Sequence, residues 1–390
     1  MKRIFFLSAL SCSLLATSCK DNAFEYHYYS PEESALLSNY LQLPELPADY
    51  NDQLPSYLIF SGGGGFTLSP TEPSKIELGR VLFYDKNLSK DGTVSCASCH
   101  KQELAFSDNA ALSKGVFDRT GDRNSIALSS VPSFSGAYDN TGVSLFWDNR
   151  ANTVQEQSRA SLANTKEMDM TMSEVVEAVN NQPYYSILFK KSFGDELATE
   201  DRVTAAIQSF VHALASFRSK FDVAAEAKFN QTNQNLSFVY EDFGNLSAQE
   251  NRGKTLYLNN CSSCHTETFT VPRISSASNG LDQNPTDKGV GGITNVANEM
   301  GTFKIPALRN IGLTAPYMHD GRFQTLEQVV EHYSSGIQPH ANLHVNLKKP
   351  DGTPRNFQLS ESDKQALVAF LHTLSDEKLA SDGRYSDPFK

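Results

Sequence analysis

Two pentapeptides constrain this chain more than any other feature, because each carries two cysteines and a histidine at fixed spacing. They read C-A-S-C-H at 96–100 and C-S-S-C-H at 261–265. In such a motif the thiols form thioethers with the haem vinyl groups, and the adjacent imidazole ligates the iron. The sequence therefore predicts two haem c groups. The predicted attachment and iron-binding residues are Cys96, Cys99 and His100 in the first motif, and Cys261, Cys264 and His265 in the second. A four-cysteine zinc site is the alternative, but it leaves both histidines unexplained.

The beginning of the chain has the pattern of an export signal. A basic start at Lys2 and Arg3 precedes an apolar stretch that ends at Ala16, too short to span a bilayer permanently. Small residues before Cys19 resemble a bacterial lipoprotein processing site, so residues 1–18 are predicted to be a lipoprotein signal peptide. An ordinary secretory signal with a free Cys19 is the alternative. Either pattern predicts an exported protein on the periplasmic side of a bacterial membrane, and the first predicts a lipid anchor at Cys19.

Composition excludes one class of partner. The net charge is -11, and the sequence has no basic stripe that would follow a phosphate backbone. Nucleic acid is therefore not expected as a partner. A length of 390 residues favours two or three domains.

Apolar periodicity predicts an all-α protein. Residues 19–70 are rich in Ser, Pro and Asp, include four consecutive glycines and show no sustained apolar period, so they are predicted to be a flexible tether. Helical patterns begin near Ser74, Thr199, Ser247 and Ser360.

The order of helix, loop and haem motif occurs twice along the chain. We therefore predict two cytochrome c-like domains, each with one covalently attached haem. The first is assigned to residues 71–235, and the second to residues 236–390.

Further motifs surround both pentapeptides. Before and after the first are 78–85 (LGRVLFYD), 88–89 (LS), 105–108 (AFSD), 123–124 (RN), 146–150 (FWDNR), Gln157 and 167–168 (EM); after the second are 303–310 (FKIPALRN), 313–321 (LTAPYMHDG) and 325–327 (TLE). In this order they resemble the bacterial dihaem cytochrome c peroxidases and their MauG-like relatives. The resemblance covers roughly residues 70 to 376. It implies an enzyme that reduces hydrogen peroxide to water with electrons passed from the second haem to the first.

The resemblance implies catalytic roles for three residues. Glu167 matches an acid that moves a proton between the two peroxide oxygens, and Gln157 matches an amide that holds peroxide or water. Trp147 matches a tryptophan that couples the two haems electronically. An aromatic residue packed in the core is the alternative interpretation, and both can hold at once. This chain departs from the family at Ser161, where proline is frequent, and at Asn149, where glycine is usual.

The sequence leaves several candidates for the axial ligand opposite each of the two haem histidines. Residues 101–167 contain no histidine or methionine, so the family's distal ligand to the first haem is missing and an open or water-bound iron is expected. Lys114 and Tyr138 are alternatives. For the second haem the resemblance points to Tyr333, as in the MauG-like branch. Other candidates are Met300, Met318, His332 and His340.

The resemblance also implies further partners. Calcium between the domains would be held by Asn124, Thr314 and Pro316 through oxygen atoms. The electron donor would be a small cytochrome or a cupredoxin, and a homodimer is left open. Two other functions remain open: a MauG-like oxidase that acts on a partner protein, and a dihaem electron-transfer cytochrome without catalysis.

Overall fold

The computed structural model describes residues 28–50, 52, 54–60, 72–130, 144–269 and 274–390. The predicted signal peptide, Cys19 and Tyr138 lie outside these residues. The described chain is mainly helical, with one short antiparallel sheet, and the all-α prediction is confirmed. In this part of the chain, no helix has the length and apolar character needed to cross a membrane.

The α-helices are α1 Pro31–Leu37, α2 Ser56–Phe60, α3 Pro73–Tyr84, α4 Cys96–Cys99, α5 Val154–Ala163, α6 Met172–Asn180, α7 Pro183–Phe193, α8 Glu200–Ala213, α9 Lys220–Gln231, α10 Ala248–Asn260, α11 Ser262–His265, α12 Gly291–Thr294, α13 Leu326–Glu331 and α14 Glu361–His372. A π-helical turn, His332–Gly336, continues α13. The strands are β1 Ser276–Ala277 and β2 Phe303–Lys304. Short 3-10 turns complete the described chain at Lys86–Leu88, Gln102–Leu104, Val116–Asp118, Leu128–Ser130, Leu236–Tyr240, Ala297–Glu299, Ile311–Leu313, Val345–Leu347, Leu379–Ser381 and Gly383–Tyr385.

Helix α3 crosses α8 at very close range. A Cβ on Gly79 would lie 1.9 Å from the Ala206 carbonyl oxygen and 2.9 Å from Phe210 Cβ, so only glycine fits there. The side chain of Thr199 caps α8 by accepting a hydrogen bond from the Arg202 backbone N–H, as predicted. This helix pair forms the frame that holds the first haem motif.

The second half of the chain repeats this crossing. A Cβ on Gly253 in α10 would lie 1.9 Å from the Ala366 carbonyl oxygen and 2.6 Å from Phe370 Cβ in α14. The predicted caps Ser247 and Ser360 are both present. The repeated geometry explains why each haem motif follows a helix that packs on a later one, as expected for cytochrome c-like domains.

The two cores divide the chain differently from the predicted domains. Between the two haem motifs, the last residue of the first core is Leu214, directly after α8, and the second core continues from Ala215 and includes Phe221 and Phe229 of α9. The C-terminal residues Leu379 and Tyr385 return to the first core. The boundary between the cores therefore lies earlier than the predicted one at residue 235, because α9 packs its aromatic face on the second domain.

The prediction of a flexible tether over 19–70 differs from the structure where the structure describes it. Tyr29, Leu37 and Tyr50 are buried in the first core, whereas Tyr57 is buried in the second. The Tyr57 hydroxyl donates to Asp222 Oδ1 at 2.5 Å. These residues are too widely spaced to give an apolar period, so their order depends on tertiary contacts that periodicity does not detect.

Replacement of Tyr57 with alanine is expected to lower the free energy of unfolding by about 3–5 kcal/mol, because a buried aromatic ring is lost from the second core. Urea unfolding followed by circular dichroism measures the change. Ile59→Ala in the same helix is the control, since Ile59 is 53% exposed. Equal stability of the Tyr57→Ala and Ile59→Ala variants would show that this segment contributes nothing to the fold.

Candidate functional site

The first haem motif forms the short helix α4, and a backbone carbonyl group fixes the orientation of its histidine. His100 Nδ1 lies 2.9 Å from the Phe106 carbonyl oxygen, which favours the tautomer with a proton on Nδ1. Burial lowers the pKa of His100, so the ring is held neutral. The Nε2 lone pair is therefore left for a metal ion, as in other ligating histidines with a backbone acceptor.

The second haem motif has the same arrangement. His265 Nδ1 lies 3.0 Å from the Pro306 carbonyl oxygen, and burial lowers the pKa of His265 to about 4. None of the four motif cysteines takes part in a disulfide bond. Among the described residues, no cluster of three or more His, Cys, Asp or Glu side chains could hold a metal ion, so the two cysteine pairs do not combine into a zinc site. Both motifs fit covalently attached haem.

The Cys96→Ala/Cys99→Ala variant is expected to retain one covalent haem and lose the other, because each motif has its own pair of thiols. A haem-stained denaturing gel and the pyridine haemochrome spectrum measure haem per chain. Cys261→Ala/Cys264→Ala is the reciprocal variant. A parent chain that carried zinc and no haem would contradict the assignment of both motifs.

A cavity of about 780 Å³ adjoins the first motif. Its lining includes the motif itself and the three residues to which sequence analysis gave catalytic roles: Cys96, Cys99, His100, Trp147, Gln157 and Glu167. These residues come from α4, α5 and two loops, and are up to 71 positions apart in the chain. A volume of this size is large enough for one edge of a porphyrin together with a small substrate.

Glu167 follows α5 and is fixed by neighbours on both sides. Asn164 Nδ2 donates to Glu167 Oε1 at 2.7 Å, and the Val116 backbone N–H donates to the Glu167 carbonyl oxygen at 2.9 Å. A Cβ on Gly115 would lie 2.8 Å from Glu167 Cα, so the two loops are in direct contact. Burial raises the pKa of Glu167, although hydrogen bonds from Ser161 and Asn164 oppose the rise. A carboxyl group with a raised pKa is suited to accept and return a proton.

Gln157 and Ser161 lie one turn apart on α5. Gln157 Nε2 donates to Ser161 Oγ at 3.1 Å. Ser161 also hydrogen-bonds Glu167, which lowers the pKa of that carboxyl group. The serine that departs from the family pattern therefore connects the amide to the acid, and the helix remains regular at that position.

Trp147 connects the two halves of the molecule. Its Nε1–H donates to the Asn124 carbonyl oxygen at 2.8 Å, and its own carbonyl oxygen accepts from the Lys304 backbone N–H of β2 at 2.8 Å. Its ring centroid lies 6.5 Å from that of His319. Asn149 has φ +58°, so the turn that glycine usually makes survives with asparagine, as expected.

Sequence reasoning missed a charge network at the edge of the cavity. Arg123 donates to Asp287 at 2.8 Å and to Asp148 at 2.6 Å, and Arg150 donates to the same Asp148 carboxylate. Arg123, Asp148 and Arg150 lie within motifs of the first half, whereas Asp287 belongs to a loop of the second half that matched no motif. Only the fold shows that the network joins the two halves.

The candidate distal ligands for the first haem lie in different places. Lys114 Nζ bonds the Asp118 carbonyl oxygen at 3.1 Å in an exposed loop, and Lys114 is not part of the cavity lining. Met168, just beyond the stretch without methionine, does line the cavity and is 5% exposed. Lys304 lines it too, and its Nζ donates to the Ser144 carbonyl oxygen at 2.8 Å.

The side chains of Tyr333 and Met318 both contact Asn279, near the second haem motif. Asn279 Nδ2 lies 3.4 Å from the Tyr333 hydroxyl and 3.5 Å from Met318 Sδ. Burial raises the pKa of Tyr333 to about 12, and the nearby Cys261 and Cys264 add to the rise. Tyr333 lies in the π-helical turn, a feature that often marks functional sites.

The remaining candidates for the second haem have other contacts. His332 Nε2 lies 3.2 Å from the Asn279 carbonyl oxygen, and His340 Nδ1 accepts from the Asn342 backbone N–H at 3.0 Å. Asn342 Nδ2 donates to the Met300 carbonyl oxygen at 2.9 Å. The structure thus brings Tyr333 and Met318 together and leaves the assignment of the ligand as a prediction.

The three residues predicted to hold calcium lie in or beside one interdomain contact. The Asn124 backbone N–H donates to the His319 carbonyl oxygen at 2.8 Å, and Asn124 Nδ2 donates to the Ala110 carbonyl oxygen at 3.2 Å. His319 belongs to the loop that carries Thr314 and Pro316. Calcium remains a prediction.

Comparison with known proteins supports this arrangement. A family model described as di-haem cytochrome c peroxidase matches residues 73–230, and one described as cytochrome c matches residues 250–375. The methylamine utilization protein MauG of Methylorubrum extorquens is 32% identical over 80% of this chain and 81% of its own length. The cytochrome c551 peroxidase of Nitrosomonas europaea is 33% identical over 80% of this chain and 83% of its own length.

A solved structure is similar over most of the fold. A MauG-like protein associated with microbial copper homeostasis has a TM-score of 0.69 and 29% sequence identity, covering 87% of this chain and 99% of that one. Two haem c groups agree with the family description and with the two half-buried C-x-x-C-H motifs. The chain belongs to the di-haem cytochrome c peroxidase family, which includes the MauG proteins.

Proposed function

We propose that this protein is a peroxidase that reduces hydrogen peroxide to water with two electrons and two protons. The observation that carries the proposal is the single cavity in which Glu167, Gln157 and Trp147 adjoin the first haem motif. An electron-transfer cytochrome would have no use for an acid and an amide beside its haem. The similarity to the cytochrome c551 peroxidase of Nitrosomonas europaea supports the same activity.

The bound haem would supply a redox-active iron that takes up electrons and binds the substrate. Glu167 is the proton carrier: its carboxylate removes a proton from one peroxide oxygen and returns it to the other as the O–O bond breaks. The Gln157 amide orients the peroxide, and Ser161 holds both side chains in register. Asn164 fixes Glu167 Oε1, and Ser161 is a second hydrogen-bond partner of the same carboxyl group.

Electrons would enter near the second haem and pass Trp147 to reach the first. A side-chain hydrogen bond to Asn124 of the first half and a backbone hydrogen bond from Lys304 of the second half hold this residue, which supports a coupling role. A small cytochrome or a cupredoxin is the proposed donor. Calcium held by Asn124, Thr314 and Pro316 would stiffen the contact between the halves.

Steady-state peroxide consumption with a reduced small cytochrome tests the proposal. A peroxidase oxidises the donor rapidly, a MauG-like oxidase does so slowly, and an electron-transfer cytochrome leaves peroxide unchanged. The same assay in the presence of a calcium chelator tests the metal, because chelation should slow turnover and added calcium should restore it.

A MauG-like oxidase acting on a partner protein is the second candidate. Tyr333 beside the second motif favours it, as does the named MauG relative. The spectrum of Tyr333→Phe decides whether the phenol ligates the second haem.

Export, with a lipid on Cys19, is part of the same proposal, since C-x-x-C-H haem attachment in bacteria takes place outside the cytoplasm. Metabolic labelling of the parent and of Cys19→Ala with a radioactive fatty acid tests the anchor.

A further inference from the structure

Three tyrosine rings form a continuous path between the first core, against which Cys96 packs, and the surface. The ring centroids of Tyr185 and Tyr184 are 4.6 Å apart, and those of Tyr184 and Tyr40 are 5.4 Å apart. Tyr185 is 1% exposed and Tyr184 is 2% exposed, whereas Tyr40 is 41% exposed. The path therefore begins in the core and ends in solvent.

The inner end of the path lies in the core against which the first haem motif packs. Cys96 packs against the first core, and Tyr185 is a buried member of the same core. The Sγ atom of Cys96 would carry one thioether bond to the porphyrin. Tyr185 is therefore the ring of the path that lies deepest in the core shared with the motif.

One buried carboxylate serves both inner rings. Asp85 Oδ2 accepts from the Tyr185 hydroxyl at 2.7 Å and from the Tyr184 hydroxyl at 3.0 Å. Asp85 is 1% exposed, and Asn87 holds its Oδ1 by two hydrogen bonds of 2.8 and 2.9 Å. Burial raises the pKa of both tyrosines, so the rings are neutral phenols at rest.

Such a phenol loses its proton when it loses an electron, because the oxidised ring is a strong acid. A carboxylate already in hydrogen-bond contact can take that proton without any movement of the chain. When the ring regains an electron, the proton returns from Asp85. This arrangement allows an oxidising equivalent to cross Tyr185 and Tyr184 without leaving a charge in the core.

The outer end belongs to residues 19–70, for which the sequence predicts a flexible tether. Tyr40 follows α1, and Leu41 pairs with Phe389 of the C-terminal residues. The Lys390 backbone N–H donates to the Tyr40 carbonyl oxygen at 3.2 Å. Phe389 and Lys390 therefore hold the backbone around Tyr40 in place.

We propose that Tyr185, Tyr184 and Tyr40 form a one-electron oxidation path, and that Tyr40 is a second oxidation site where phenols are oxidised at the protein surface. The inference rests on the proposed reduction of hydrogen peroxide, which is the oxidant. Each peroxide takes two electrons and two protons and becomes two water molecules. Each electron leaves one Tyr40 phenol, and its proton passes to solvent.

Two oxidised Tyr40 rings from different molecules then join through a carbon–carbon bond. The balance is one hydrogen peroxide and two tyrosine phenols giving one dityrosine and two water molecules. In the presence of an external phenol, the same electrons are drawn from that phenol, and Tyr40 is restored.

The experiment treats the holoprotein with hydrogen peroxide in the absence of reduced cytochrome. Rapid freezing and electron paramagnetic resonance detect a tyrosyl radical, while dityrosine fluorescence and a denaturing gel detect covalent dimers. The variants are Tyr40→Phe, Tyr184→Phe and the control Tyr240→Phe. Tyr240 is 66% exposed, against 41% for Tyr40, and lies in the second half of the chain, so the control removes a more accessible phenol outside the path.

The expected result is a dimer with dityrosine fluorescence in the parent and in Tyr240→Phe, and its loss in Tyr40→Phe and Tyr184→Phe. Dimers that persist in Tyr40→Phe, or a parent that forms neither radical nor dimer, would overturn the inference. Peroxide consumption with reduced cytochrome is measured on the same samples. Consumption without Tyr40 oxidation refutes the path alone, whereas no consumption refutes the proposed function.

Discussion

Glu167→Gln is expected to lower peroxide turnover by about 10²-fold or more while both haems stay attached, because the amide cannot carry a proton between the peroxide oxygens. The substitution preserves the size of the side chain and its contact with Asn164. Stopped-flow consumption of peroxide with excess reduced cytochrome measures the rate. The matched control is Glu177→Gln on the exposed face of α6, which should leave the rate unchanged.

The pH dependence of peroxide turnover tests the role of Glu167 independently. Glu167 must be ionised to accept the first proton, so the rate falls as pH decreases through its pKa. Burial raises that pKa above the ordinary value for glutamate, and Ser161, Asn164 and Arg150 oppose the rise. We therefore expect the acid limb of the parent profile to be absent from Glu167→Gln. An unchanged rate, or an acid limb that survives the substitution, would assign proton transfer to another residue.

Much of the site could be predicted because its determinants are contiguous in the sequence. Cys96 and Cys99 reach one porphyrin through a single turn of helix, so the motif alone specifies the chemistry. Sequence patterns located the helices that precede the motifs, α3 and α10, although α3 buries residues 76–83 on all sides instead of one apolar face. Trp147, Gln157 and Glu167 were found through resemblance, and the structure brings them to one cavity.

The remainder depends on contacts between residues that are far apart in the sequence, and local sequence patterns do not detect such contacts. Tyr57 reaches Asp222 across more than 160 residues, and nothing in its neighbourhood has a helical apolar period. Arg123 pairs with Asp287 across the two halves. The π-helical turn at Tyr333 inserts one residue per turn relative to an α-helix, which a period of 3.6 does not reveal.

The fully oxidised protein is expected to react with peroxide without prior reduction. Residues 101–167 contain no histidine or methionine, so no histidine has to leave the first haem before substrate can bind. Lys114, one of the proposed alternatives, bonds Asp118 in an exposed loop and is absent from the cavity lining. We therefore expect a high-spin first haem and a low-spin second haem in the resting protein.

Mixing the all-ferric protein with stoichiometric peroxide and following its absorption spectrum over seconds measures this reactivity. The control is the same protein after addition of one electron, which should react no faster if the first site is already open. Two low-spin haems that stay inert until that electron arrives would mean that a side chain blocks the first site. Met168 is the residue to examine then, because it lines the cavity next to Glu167. Met168→Leu conserves the volume of the side chain and removes its sulfur, so a high-spin signal that emerges only in this variant would identify the sulfur as the ligand.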